Sequence, residues 1–179
     1  MRIFTYIIIL FASLVSADDS FRWIDGNGNT IPEDDTRKSH NGFGGWLLIT
    51  PDSDWQNEWK SPANKIPNFA VTEQVKKGNK IYILVLYSNP LPDDNGMINL
   101  GCDVKVTRPD GSISIDAAGL DCAQAEASEN PYHTSMTNLG ITYSAEEDDL
   151  IGQWQVDVNI LDRIRQAQVS LKASFTVLE

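Results

Sequence analysis

The chain has 179 residues, 41% of them hydrophobic and 9% aromatic, with two cysteines and a formal net charge of -11. That length suits one domain with a core of its own, without several disulfides to staple it. So acidic a composition argues against nucleic acid or an anionic membrane as partner, because both select basic patches.

The first elements set the compartment. Arg2, the apolar run at residues 3–11 (IFTYIIILF) and the modest residues before Ala17 have the layout of a signal peptide spanning residues 1–17. The run is shorter than the roughly 20 residues that cross a bilayer; the competing reading is a buried N-terminal strand. Cleavage after Ala17 leaves Asp18 first, not a lipid-modifiable cysteine, and removes one positive charge, Arg2. The expectation is a periplasmic or extracellular protein without an integral membrane segment.

Residues 18–45 are polar and turn-rich and read as an extended arm, with Phe21, Trp23 and Ile24 as its apolar cluster. Asp25, Asn27, Asn29 and Glu33 place oxygen side chains around flexible glycines, as Ca²⁺ loops do. The EF-hand pattern fails at its sixth place, Thr30, and at its twelfth, Thr36, and an Asx/Gly turn explains the same residues. Residues 46–50 (WLLIT) form a first strand that stops at Pro51. Residues 52–59 then cap a short helical turn that sets Trp55 and Trp59 on one side.

From residue 69 onward the period becomes two. Val71 and Val75 lead into the Lys77-Gly78-Asn79 turn and the strand at residues 80–88 (KIYILVLYS). There Ile81, Ile83, Val85 and Tyr87 oppose Tyr82, Leu84 and Leu86, so both faces are apolar and both need cover. After a proline-rich loop comes a strand at 98–107, a Pro109-Asp110-Gly111 turn and a short partner strand at 112–116, with Cys122 in the loop beyond. In an oxidising compartment Cys102 and Cys122 are expected to form a disulfide, which over a loop of this length is worth about 3 kcal/mol; the alternative is a pair of free buried thiols. A surface loop at 123–131 precedes a strand at 135–144 and an acidic loop at 145–149. Strict alternation at 153–160 and 169–177 then marks a terminal hairpin. The sum is an all-β antiparallel sandwich of about seven or eight strands, spanning residues 46–179.

Gly152-x-Trp154-x-Val156-x-Val158, followed by a strand ending Phe175-x-Val177, resembles the closing hairpin of bacterial exported immunoglobulin-like domains. The segment Val75 to Leu86 is similar to their early strand, and Val104-Lys-Val106-Thr-Arg-Pro-Asp-Gly111 to their middle hairpin. The resemblance covers residues 69–178; it implies an immunoglobulin-like architecture and transfers no active site. Cys102 and Cys122 lie too close in sequence for the disulfide of antibody-type domains.

The catalytic inventory is thin: no Gly-x-Ser-x-Gly, no His-Glu-x-x-His, no phosphate loop, and two histidines, His40 and His133. No enzyme activity and no cofactor beyond the Ca²⁺ candidate are expected. Trp55, Trp59 and Tyr82 are the candidate binding residues, read either as a cover for the two-faced strand or as exposed anchors. The favoured expectation is a non-catalytic module that binds a protein in the periplasm or at the cell surface. The alternatives are an inhibitor or immunity-type protein acting through its acidic loop at residues 146–149, and a carbohydrate binder or enzyme.

Overall fold

The computed structural model describes residues 21–60, 69–130 and 132–179; the expected signal peptide lies outside them. The described chain orders β1(Arg37–His40), β2(Phe43–Thr50), α1(Trp55–Trp59), β3(Gln74–Lys76), β4(Lys80–Ser88), β5(Met97–Thr107), β6(Ile113–Glu126), β7(Thr134–Ser144), β8(Gly152–Asp162) and β9(Ala167–Leu178). These strands form a four-stranded sheet, β1-β2-β4-β7, facing a five-stranded sheet, β3-β9-β8-β5-β6. The protein is an all-β, immunoglobulin-like sandwich with one short helical turn.

Alternation decides which side chains meet between the sheets. Trp154, Val156, Val158 and Ile160 of β8 and Val169, Leu171, Phe175 and Val177 of β9 all point inward and are at most 2% exposed. They pack against Ile81, Ile83 and Val85 of β4 and Leu47 and Ile49 of β2. Each such side chain contributes about 1.5–3 kcal/mol of burial before ordering entropy is subtracted. At one end Tyr143, Trp154 and Phe175 cluster at centroid distances of 4.8–6.0 Å, Trp154 stacked on Phe175 and Tyr143 tilted against both.

Four features differ from the sequence reading. The sheet begins before residue 46: β1 pairs antiparallel with β2, so part of the expected arm is a strand. β3 runs parallel to β9, an exception to the antiparallel rule that no local pattern reveals. The described strands number nine, not seven or eight. Finally, Cys122 lies in strand β6, which continues to Glu126 where a loop was expected. The pairing of β5 with β6 slips at three places, and Gly119 sits at φ 68° with its N–H on Asp103 Oδ1 at 2.8 Å. Bulges of this kind break the period-two pattern, so pairing with β5 creates a strand that propensity does not. The Cys102–Cys122 bond joins these neighbouring strands within one sheet, at a Cα separation of 5.7 Å.

A buried ion pair holds the other end of the sandwich. The Asp162 side chain is fully buried; its Oδ2 lies 3.6 Å from Arg165 Nε and accepts the Leu91 N–H, while Oδ1 accepts the Ile164 and Arg165 N–H groups. The Arg165 guanidinium donates to the carbonyls of Asn41 (3.0 Å) and Asn89 (3.3 Å). Asn41, Asn89 and Gln166 all take left-handed backbone angles, φ 49° to 57°. Three connections that disfavour their own conformation are therefore tied to one charge. Removing one partner of a buried pair leaves the other uncompensated. Arg165→Ala is expected to lower unfolding free energy by about 3 kcal/mol in urea denaturation, and a loss under about 1 kcal/mol would show that the hub is not a major support.

The arm packs where β2 has no side chain. A Cβ built on Gly44 would lie 2.6 Å from a Phe21 ring atom and 2.8 Å from a Trp23 ring atom. Gly44→Ala should therefore displace Phe21 and Trp23 and leave the sandwich folded. The expected readout is faster proteolysis before residue 36 with an unchanged far-ultraviolet spectrum; equal proteolysis rates would contradict it.

Candidate functional site

The two outer faces of the sandwich differ in kind. On the five-stranded sheet the outward residues of β8 from Gln153 to Asn159 and of β9 from Gln168 to Thr176 are polar, and several satisfy one another. Ser170 Oγ donates to Asn159 at 2.7 Å, Gln153 Nε2 to Ser174 Oγ at 3.1 Å, and Lys172 lies 3.6 Å from Asp157. On the four-stranded sheet the outward residues Leu48, Leu84 and Leu86 are at most 3% exposed and form a second apolar cluster.

What covers that cluster is aromatic. Trp46, Trp55, Trp59, Phe69, Tyr82 and Met136 pack on it and each remains partly exposed. The Trp55 ring lies 6.4 Å from Tyr82, and Trp59 stacks on Phe69 at 6.4 Å. A helix of five residues supplies two of these rings and buries none of its own residues. Farther along the same face, Phe21 and Trp23 of the arm meet Trp46 and Tyr132. Trp55 and Trp59 pack on the same cluster, as their spacing implied, and Tyr82 meets Trp55 there, so the three serve as its cover while staying partly exposed. Phe69 and Met136 were missed; Trp46 shares the outward face of β2 with Gly44 and Leu48, an alternation legible once β2 is known to start at Phe43.

The face runs into a groove at the open sheet edges. Two backbone ties bridge the sheets there. Leu47 N–H donates to Thr36 O and Lys172 N–H to Asp35 O, both at 2.7 Å. Thr72 N–H donates to Ile49 O at 3.0 Å, and Thr176 N–H to Glu73 O at 2.8 Å. Both ties line an open groove of about 690 Å³, together with Arg37, Trp46, Val71 and Ser174. The Arg37 guanidinium lies 5.5 Å over the Trp46 ring, and its Nε is buried without a hydrogen-bond partner among the described residues. Val71 at the rim is 69% exposed.

The remaining candidates are engaged locally. Asp25 Oδ1 accepts the Asn27 and Asn29 N–H groups and Oδ2 the Asn29 amide, an Asx turn that uses both carboxylate oxygens. Glu33 instead accepts the Ser39 hydroxyl. Among the described residues no three His, Cys, Asp or Glu side chains gather as a metal set would require. In the acidic loop, Asp149 accepts the Tyr143 hydroxyl at 2.7 Å and the Glu146 N–H at 2.9 Å, which docks the loop on the core. Burial, and then Asp149, push the Tyr143 hydroxyl well above the ordinary phenol range.

No family model matches the chain, and no curated protein matches it. Among solved structures it is similar to part of a family 123 glycoside hydrolase from Clostridium perfringens (9% identity, TM-score 0.45, covering 75% of this chain and 27% of that one). It is also similar to part of the alkylpurine DNA glycosylase AlkC from Pseudomonas fluorescens (11% identity, TM-score 0.40, 74% and 29% covered). A third is a CARDB domain from Pyrococcus furiosus in complex with di-metal ions (8% identity, TM-score 0.37, 75% and 89% covered). The chain spans under a third of the length of the first two.

Several turn carboxylates are held below their ordinary values. The Asn29 amide and backbone N–H groups lower Asp25; Lys38 lowers Asp35; at Asp34, burial acts upward but is outweighed by Thr36 and Arg37 N–H donors. A depressed folded value stabilises above the unfolded carboxylate value of about 3.9 and loses that stabilisation as pH falls through the folded value. The thermal midpoint should therefore hold down to about pH 4 and fall below it; a midpoint that rises on acidification would contradict this.

Proposed function

We propose that the protein is an exported, non-catalytic binding module that engages a protein partner through the aromatic face of its four-stranded sheet. The observation that carries this reading is the asymmetry of the outer faces: one with a polar, self-paired centre across β8 and β9, the other apolar under partly exposed tryptophans and tyrosine. A continuous apolar surface on a folded protein marks an interaction site more often than chance does, and Trp and Tyr dominate binding hot spots. The signal-peptide layout of residues 1–17 and the Cys102–Cys122 disulfide support an oxidising destination outside the cytoplasm.

A photo-crosslinker at Gln56, on exposed α1, is expected to capture a partner in cells exporting the protein. The same crosslinker at Gln168, exposed on β9, is expected to capture none. Trp55→Ser with Trp59→Ser should weaken the captured complex about 30-fold or more, with the sandwich intact by circular dichroism. Equal capture at both positions, or an unweakened complex in the double variant, would remove the aromatic face as the binding surface.

A further inference from the structure

We infer that the groove between the two backbone ties receives a short extended segment of the partner protein, with one carboxylate of that segment seated on Arg37. This inference rests on the binding role proposed above and specifies the chemistry of the partner.

The backbone supplies the first argument. Lys172 and Thr176 direct their N–H groups away from β8, to the ties. Alternation sends the Ser174 N–H and C=O, midway between them, the same way into the groove. On the facing sheet Leu47 N–H and Ile49 C=O leave β2 away from β4, so the Leu47 C=O and Ile49 N–H also point to this edge. Among the described residues no backbone hydrogen bond outside the ladders reaches any of these four groups. The ties stand about 13 Å apart along β9, room for three or four residues of extended chain. Such a segment carries the donors and acceptors that a strand edge lacks.

Charge supplies the second. The other cations near the groove are spoken for: Lys38 lies 2.8 Å from Asp35, Lys172 3.6 Å from Asp157, and Arg108 donates to the Ile113 carbonyl at 2.7 Å. Asp34 senses the charge of Arg37, yet among the described residues Arg37 forms no ion pair. Its planar guanidinium, 5.5 Å over the Trp46 ring, keeps a fork of donors for a carboxylate. The ties themselves carry Asp34, Asp35 and Glu73, and the whole chain has a net charge of -11. The segment that fits is therefore a single Asp or Glu flanked by neutral or basic residues.

The test titrates the blocked pentapeptide acetyl-Lys-Val-Glu-Val-Lys-amide into the purified protein, followed by amide resonances and hydrogen exchange. The Ile49 and Ser174 amides should shift and their exchange should slow. Replacing the peptide's Glu by Gln should weaken binding about tenfold or more, and Arg37→Gln should abolish that difference while the protein still melts cooperatively. Undisturbed Ile49 and Ser174 amides at millimolar peptide, equal binding of the two peptides, or acetate alone reproducing the shifts would each overturn the inference. Trp55→Ser with Trp59→Ser should leave peptide binding unchanged. Loss of the aromatic-face reading and loss of the groove are thereby read separately.

Discussion

Strand β4 has no hydrophilic face, and most of the architecture follows from that constraint. Its inward residues Ile81, Ile83 and Val85 are met by the five-stranded sheet, as in any sandwich. Its outward residues Leu84 and Leu86 are as deeply buried, at 0% and 1% exposure, and among the described residues no third sheet covers them. The cover is assembled from pieces that could not stand alone: a five-residue helix, an aromatic at the entry to the β3 region, and rings from β2 and β4 themselves. Large flat side chains suit this task, because each hides much area at little cost in side-chain entropy. The same economy leaves them half-exposed, so closing the second core and presenting an aromatic surface are one event.

The sheet edges show the complementary problem. An open edge offers unpaired donors and acceptors to any passing strand. β6 is protected by three register shifts and by Asp116, Asp121 and Glu126 along its length. The opposite side is protected by the 34–36 and 71–73 segments, which cross from one sheet to the other through single backbone bonds. Those crossings are incomplete, and the interval between them is the groove, with Arg37 at its wall and the aromatic face at its mouth. Edge protection and access are thus set by the same few residues.

At the far end, polar groups replace apolar packing. Asp162 and Arg165 lie in one tight turn, yet their hydrogen bonds reach the β1–β2 turn and the β4–β5 loop. A buried pair of this kind adds little net stability against an apolar alternative, but it specifies which loops meet. Here it accommodates three left-handed, non-glycine residues that no local preference would place together.

The amino-acid sequence by itself determined the parts that repeat locally. The alternation in β4, β8 and β9, the turn at Pro109-Asp110-Gly111, the pairing of the two cysteines and the shared side of Trp55 and Trp59 were legible because side-chain direction follows from backbone period alone. Tertiary structure decided the rest. β6 is a strand because β5 pairs with it across bulges that erase the period. β3 runs parallel to a partner that lies a hundred residues later in the chain, a pairing no local pattern encodes. The groove and the Arg165 hub were invisible for a related reason: their groups are backbone carbonyls and amides, or charges defined by what they lack. Neither has a residue pattern until distant segments are brought side by side.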